Sequence, residues 1–180
     1  LHQIHIANLE DLLNEIGHSN ARPLWLTDAE SVRLDAMTAI SRKSQFLAGH
    51  FLVRKMAGRV SSHSQESWIY FQDEENARRL RCMHAGAPEF YVSISHSGQY
   101  VAAAISTKPV GIDVETAARN RNFLAIAAHV FSPEEVSVLE NLGHDELRQH
   151  FYLLWTLKES IAKQYGQGLK PGLARRETAI

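Results

Sequence analysis

Apolar and polar residues alternate along several short stretches in the first part of the chain. In residues 90–95 every second residue is a large apolar one, which is the period of a strand with one buried face. Ser97-Gly98 then predicts a turn, and the apolar run at residues 100–106 predicts the hairpin partner. Three further strands are expected at residues 2–9, 66–71 and 110–115.

Helix-capping sequences mark the start of several helices. Residues 27–30, Thr-Asp-Ala-Glu, form a capping-box pattern that predicts a short helix to about residue 38. Ser41 is an N-cap candidate for a second helix, with an apolar stripe that Gly58 would end. Two more helices are expected, one opened by Ser132-Pro133-Glu134-Glu135 and ended by Gly143, the other over residues 145–165.

Strands and helices are both expected, and the chain after residue 115 is predicted to be helical, which together predict an α+β fold. At 180 residues and 44% hydrophobic composition, the chain is large enough to bury a substantial core. Its composition changes little between the two halves, so any boundary is soft. We expect it near residues 106–109, which gives an N-terminal lobe of residues 1–106 and a C-terminal lobe of residues 107–180.

Charge and cysteine content narrow the function classes. The chain carries 19 Lys and Arg against 20 Asp and Glu, which disfavours a protein that wraps nucleic acid or lies on an anionic membrane. No apolar run reaches membrane-spanning length, and the first residues lack the pattern of a secretory signal. The single cysteine, Cys82, excludes an intramolecular disulfide and fits a reducing compartment. We therefore expect a cytoplasmic protein.

Two carboxylates stand two residues apart in the sequence Gly111-Ile112-Asp113-Val114-Glu115. On a strand, Asp113 and Glu115 would point to one face, where their like charges would repel unless they shared a cation or a proton. Oxygen ligands of this kind suit Mg²⁺ together with a substrate phosphate. Spacing alone leaves open the alternative that both acids simply face solvent on an edge strand.

The last predicted helix carries a second charged pair. Glu159 and Lys163 are four residues apart and share one helical face with Trp155. An exposed ion pair is one explanation. The alternative is phosphate chemistry, in which the carboxylate binds metal or accepts a proton and the lysine neutralises charge.

Anion-binding candidates occur at two other places. Ser95-His96-Ser97 ends the alternating strand, where its polar groups could meet an anion or merely bond nearby backbone. Arg42 and Lys43 lie in the opening turn of the second helix, where a helix N-terminus attracts anions, although solvated surface charge is the alternative. The basic run at residues 78–81 has no interleaved aromatic residues and is interpreted as a solvated face.

In their order along the chain, these motifs resemble those of the Sfp-type 4′-phosphopantetheinyl transferases. Gly-Ile-Asp-x-Glu followed later by Trp-x-x-Lys-Glu-Ser-x-x-Lys is a specific combination, and the resemblance covers roughly residues 27–172. The matching stretches are residues 42–54 (RKSQFLAGHFLVR), 92–98 (VSISHSG), 111–115 (GIDVE), 131–135 (FSPEE) and 155–168 (WTLKESIAKQYGQG).

The resemblance implies two similar α/β lobes packed about a pseudo-twofold axis, with the site between them. It implies transfer of the 4′-phosphopantetheine moiety of coenzyme A to a serine of an acyl or peptidyl carrier protein, with release of adenosine 3′,5′-bisphosphate. Asp113, Glu115 and Glu159 would hold Mg²⁺. Glu159 would also deprotonate the carrier serine, and Lys163 would stabilise charge at the pyrophosphate. The resemblance favours a monomer.

The same resemblance assigns coenzyme A contacts. Ser95 and His96 match positions that hold its phosphates. The segment that meets the nucleotide 3′-phosphate would contribute Arg42, with Lys43 and Arg33. Two residues, Gly86 and Lys158, join this set through their places in the family pattern.

Three departures from the family pattern stand out. The family often has Gly-Lys-Pro where this chain has Gly86-Ala87-Pro88, which implies the loss of a cation near the adenine. His50 replaces an arginine found in many relatives, and the chain ends at Ile180, where relatives usually continue through further strands. These departures leave open an inactive relative that still binds carrier proteins. A magnesium-dependent nuclease is disfavoured, since in one nuclease core the glutamate and lysine lie two apart on a strand, whereas Glu159 and Lys163 need a helix to meet. Binding of a phosphate backbone also draws on many cations, and this chain is nearly neutral.

Overall fold

A five-stranded antiparallel sheet organises the first part of the chain. The computed structural model describes residues 1–17, 22–117 and 121–169. Along the sheet the strands follow the order β1-β5-β4-β3-β2. Their bounds are β1 His2–Asn8, β2 Trp68–Gln72, β3 Arg78–Cys82, β4 Glu89–Ser97 and β5 Tyr100–Ser106.

Six α-helices accompany the sheet in the described residues, so the predicted α+β class is confirmed. A short 3-10 helix, Gln65–Ser67, precedes β2. None of the described helices is both long and apolar enough to cross a bilayer. The helices are α1 Leu9–Ile16, α2 Asp28–Asp35, α3 Ile40–Ser61, α4 Phe123–Val130, α5 Pro133–Glu140 and α6 His144–Gln164.

The capping boxes at Thr27 and Ser132 form as predicted, each with both of its reciprocal hydrogen bonds. The other helix bounds differ in part. Helix α2 ends at Asp35 rather than near residue 38. Helix α3 starts one residue before Ser41, so Ser41 is not its N-cap. Gly58 does not end α3 either. It lies inside the helix, where a Cβ would come within 2.7 Å of the His63 carbonyl oxygen as the chain folds back.

The main core lies between α3 and one face of the sheet. Phe90 and Val92 of β4 point into it, as the alternation predicts, and pack with Leu52 and Trp68. The helix lies so close to β4 that a Cβ on Gly49 would be 2.6 Å from the Ile94 side chain. This packing fixes the position of α3, and therefore of the basic residues at its start, relative to the end of β4.

The opposite face of the sheet is lined by small residues and carries a crossing segment. Ala102 and Ala104 of β5 are fully buried there under Ile112. The segment of residues 110–116 is not the strand predicted from its sequence. It crosses the sheet face rather than extending the sheet edge, so a strand's backbone is out of reach and its amides pair with side chains instead.

A second core lies among α4, α5 and α6. Its aromatic centre consists of Phe123, Phe131 and Phe151. The centre of the Phe151 ring lies 5.0 Å from that of Phe123 and 5.4 Å from that of Phe131. Trp155 packs at its edge. Each of the two cores therefore has its own set of elements, and the segment at residues 110–116 lies between them in the sequence.

A buried charge cluster joins α2 to α3. The Glu30 carboxylate accepts a hydrogen bond of 2.7 Å from Arg54 and lies 2.5 Å from Nδ1 of His50. Burial alone would raise the pKa of Glu30, but the His50 hydrogen bond and the Arg54 charge lower it to about 2. Stability from this carboxylate is therefore fully present above its ordinary pKa near 4.5 and is lost as the pH falls toward 2.

We expect Glu30→Gln to lower the free energy of unfolding by about 3–5 kcal/mol, because Arg54 is then left buried without a counter-charge. The acid-dependent loss of stability between about pH 4.5 and 2 should also shrink. Denaturant unfolding at a series of pH values measures both effects. Asp35→Asn is the control, since it breaks an exposed pair with Arg22 and should change stability by less than about 1 kcal/mol.

Candidate functional site

Helix α6 lies directly against the crossing segment at Gly111. A Cβ at this position would lie 1.8 Å from the Ser160 carbonyl oxygen and 2.6 Å from the Gln164 amide nitrogen, so only glycine fits. This close approach brings the face of α6 that carries Glu159 and Lys163 over the carboxylates that follow Gly111. The packing of α6 therefore explains why this position of the motif is a glycine.

Lys163, Asp113 and Ser95 form one hydrogen-bonded network. The Lys163 ammonium donates to Oδ1 of Asp113 at 2.6 Å and to Oγ of Ser95 at 2.9 Å. The Ser95 hydroxyl in turn donates to the same Asp113 oxygen at 2.6 Å. Three elements that are distant in sequence, β4, the crossing segment and α6, therefore meet at one carboxylate.

Two more carboxylates belong to this neighbourhood. Glu115 accepts a hydrogen bond of 2.8 Å from the Ser97 hydroxyl. Burial raises the pKa of Glu159, and the negative charges of Asp113 and Glu115 raise it further, while Lys163 opposes the shift. A carboxylate with a raised pKa beside a lysine has the properties of a proton acceptor.

The donor atoms suit a hard divalent cation. Oδ2 of Asp113 is buried and has no hydrogen-bond partner among the described residues, which is the state of an oxygen available to a cation. Carboxylate oxygens are the ligands that Mg²⁺ prefers. Across residues 1–17, 22–117 and 121–169, however, no three His, Cys, Asp or Glu side chains are gathered in a ready-made metal cluster. The chemistry of the donors fits, and the side chains are not yet converged.

A cleft of about 370 Å³ lies on the other face of β4, beside the start of α3. We call it the cationic cleft, because its lining combines basic side chains with the aromatic rings of Phe46 and Tyr70. These basic residues are Arg33, Arg42, Arg78, His50 and His96.

Neighbouring residues of β4 serve different sides of the sheet. Ser95 faces Asp113 and Lys163, whereas His96 lines the cationic cleft. Burial lowers the pKa of His96, and the charges of Lys163 and Arg42 lower it further. The lowered pKa favours the neutral form of His96, and the carboxylate network and the cationic cleft lie on opposite faces of β4.

Three residues assigned to coenzyme A by resemblance lie elsewhere. Lys158 is 2% exposed and pairs with Glu135 inside the second core. Gly86 lies in the turn before β4, separated from Ser95 by roughly 20 Å of strand. Lys43 does not line the cationic cleft. The helical period accounts for the two lysines, because neighbouring residues such as Arg42 and Lys43, or Lys158 and Glu159, lie on different faces of a helix.

Arg78 is a cleft residue that sequence reasoning missed. The other two arginines of the basic run at residues 78–81, Arg79 and Arg81, pair with Glu89 instead. The alternation of a strand could have predicted its position, since Arg78 shares its face of β3 with the buried residues Leu80 and Cys82. Arg78 therefore adds a cation to the cleft that the family pattern did not indicate.

Comparison with known proteins agrees with these motifs. The family model described as the 4′-phosphopantetheinyl transferase superfamily matches residues 109–178, which include the crossing segment and α6. The 4′-phosphopantetheinyl transferase Sfp of Bacillus subtilis (strain 168) is 37% identical over 123 residues, 68% of this chain and 52% of that protein. The transferase psf-1 of Bacillus pumilus is 32% identical over 128 residues, 71% of this chain and 52% of its own length.

A third relative, the 4′-phosphopantetheinyl transferase AcpT of Salmonella typhimurium, is 36% identical over 126 residues, 69% of this chain and 60% of that protein. The chain spans about half the length of the curated relatives it matches. The predicted resemblance is confirmed by both the family model and these relatives. Residues 109–178 therefore match the 4′-phosphopantetheinyl transferase superfamily, and the chain resembles its Sfp-type members.

Proposed function

We propose that this chain transfers the 4′-phosphopantetheine moiety of coenzyme A to a serine of an acyl or peptidyl carrier protein, in a Mg²⁺-dependent reaction that releases adenosine 3′,5′-bisphosphate. The observation that carries the proposal is the network of Lys163, Asp113 and Ser95, held together by the contact of α6 with Gly111. The names of the curated relatives agree with it.

In this proposal Asp113, Glu115 and Glu159 hold Mg²⁺, which supplies charge neutralisation at the pyrophosphate when bound. Glu159 accepts the proton of the carrier serine, and its raised pKa supports this role because a stronger base takes up a proton more readily. Lys163 is close enough to Asp113 to place its ammonium where charge develops on the leaving nucleotide.

The cationic cleft is the proposed site of the nucleotide 3′-phosphate. Arg42, Arg33 and His96 line it together, which supports the assignment made from resemblance. Arginine suits a phosphate because its guanidinium can donate two parallel hydrogen bonds. Phe46 and Tyr70 give the same cleft an apolar wall.

The finer architecture belongs to the same proposal: two similar lobes about a pseudo-twofold axis, divided near residues 106–109, in a monomer that works in the cytoplasm. The two separate cores support two lobes. The buried free thiol of Cys82 fits a reducing compartment.

Incubation with coenzyme A and an apo carrier protein tests the function, with the carrier's mass as the readout. A carrier that gains the phosphopantetheine mass with Mg²⁺, and does not with a chelator, is the expected result. Carrier binding without a mass gain would instead identify an inactive relative. The nuclease alternative is further disfavoured, since Glu159 and Lys163 lie on a helix.

Arg42→Ala is expected to bring the affinities for coenzyme A and 3′-dephospho-coenzyme A closer together. The variant loses the guanidinium that binds the 3′-phosphate. Only the affinity for coenzyme A should therefore fall, by about tenfold or more, while the affinity for the 3′-dephospho form should stay the same. Calorimetry with both ligands measures the difference. Arg59→Ala, at an exposed position near the other end of α3, is the matched control. An unchanged preference in Arg42→Ala would remove Arg42 from the site.

A further inference from the structure

Three serines of β4 hold the crossing segment on the sheet face. Ser93, Ser95 and Ser97 share one side of the strand, and each side-chain oxygen accepts one backbone N–H from the segment. The donors are the amides of Ile112, Val114 and Thr116, at 3.1, 3.3 and 3.2 Å. Every second residue of β4 therefore binds every second amide of the segment. The segment keeps a fixed register on the sheet face without pairing to a strand.

Two of these serines make an additional contact. The Ser95 hydroxyl donates to Asp113 at 2.6 Å, and the Ser97 hydroxyl donates to Glu115 at 2.8 Å. Ser93 holds the backbone, and no carboxylate of the described residues accepts its hydroxyl. Ser93 therefore serves as an internal control for Ser95 and Ser97, because it binds the backbone of the segment but no carboxylate.

The hydroxyl of Ser95 is fully used in this arrangement. A serine hydroxyl offers one donor and two acceptor positions. Its hydrogen goes to Asp113, while its oxygen accepts from Val114 N–H and from the Lys163 ammonium. In this arrangement the Ser95 hydroxyl is directed at the Asp113 carboxylate.

We propose that Ser97 and Ser95 are positioning residues that aim the Glu115 and Asp113 carboxylates at a divalent cation. This inference rests on the proposed function. Two neighbouring carboxylates repel each other and would otherwise turn apart. A glutamate side chain also loses conformational entropy when it is fixed in the one rotamer that binds a cation. A hydroxyl fixed by the backbone amide on one side and the carboxylate on the other restrains both movements.

Binding of Mn²⁺ to the protein without substrate tests this inference, with the paramagnetic signal of free Mn²⁺ as the readout. We expect Ser97→Ala to weaken Mn²⁺ affinity about tenfold, in the range typical for groups that orient metal ligands. Ser93→Ala loses an equivalent backbone hydrogen bond and should keep the parental affinity. Ser97→Thr retains the hydroxyl and should restore binding.

A purely structural role of Ser97 would lower the melting temperature without changing Mn²⁺ affinity, and that result would overturn the inference. Equal losses of affinity in Ser93→Ala and Ser97→Ala would also overturn it, because backbone order alone would then be responsible. Should Ser97→Ala not fold, Ser97→Cys carries the same expectation, since a thiol is a weak donor.

The transfer assay separates this inference from the proposed function. If the parent protein modifies the carrier and the Ser97→Ala variant binds Mn²⁺ with parental affinity, only the positioning role is contradicted. A parent protein that neither binds Mn²⁺ nor modifies the carrier contradicts both.

Discussion

Asp113→Asn is expected to reduce single-turnover phosphopantetheine transfer by at least about a hundredfold while the protein stays folded. Asparagine keeps the shape of the side chain but removes the charge that Lys163 and a divalent cation would share. Loss of such charge stabilisation amounts to several kcal/mol, and each 1.4 kcal/mol is a factor of about ten in rate. Transfer at saturating coenzyme A and Mg²⁺ measures the effect, and circular dichroism verifies the fold.

The matched control for Asp113→Asn is Glu89→Gln. Glu89 lies at the start of β4 and pairs with Arg79 and Arg81 on the surface, so its replacement also removes an ion-paired carboxylate. We expect parental transfer from this variant. Near-parental transfer by Asp113→Asn, with Mg²⁺ as the available metal, would contradict the assignment of the carboxylate to the reaction.

Lys163→Ala is expected to cut the transfer rate by about a hundredfold or more. If the ammonium stabilises charge on the departing nucleotide, removing it resembles the loss of one preorganised donor, which has an effect of this size in other enzymes. If it only pairs with Asp113, transfer should stay at the parental rate. Single-turnover transfer at saturating coenzyme A distinguishes these two outcomes.

Two further variants make the lysine experiment specific. Lys55→Ala removes a surface lysine that pairs with Glu15, and it should leave transfer unchanged. Lys163→Arg keeps the positive charge but spreads it over a planar group that cannot occupy the position of a compact ammonium. We expect Lys163→Arg to remain well below the parental rate. Full activity in it would mean that charge alone, without placement, is sufficient.

Local sequence determined the elements that depend on short-range chemistry. Alternation placed β4, because a strand with one buried face needs an apolar residue at every second position. The continuous apolar run placed β5, which is buried on both faces. The capping boxes at Thr27 and Ser132 satisfy orphan amides with side chains three residues away, so their signal is also local. The α6 start predicted at residue 145 differs from the observed start by one residue.

The site was partly visible in the same way. Spacing alone places Glu159 and Lys163 on one face of a helix, and the structure shows both on α6. The family resemblance supplied the roles, which spacing could not. The sequence did not show what each of these residues meets, since the pattern Ser95-His96-Ser97 gives no indication that the carboxylate network lies on one face of β4 and the cationic cleft on the other.

What the sequence by itself determined is therefore the class of fold, the bounds of its most regular elements and the family that the chain resembles. Only the tertiary structure decided that residues 110–116 cross the sheet face, that Lys158 is buried with Glu135, and that Arg78 enters the cleft. The physical reason is that periodicity fixes where a side chain points relative to its own element. Which other element it then meets depends on long-range packing, such as the contact of α6 with Gly111.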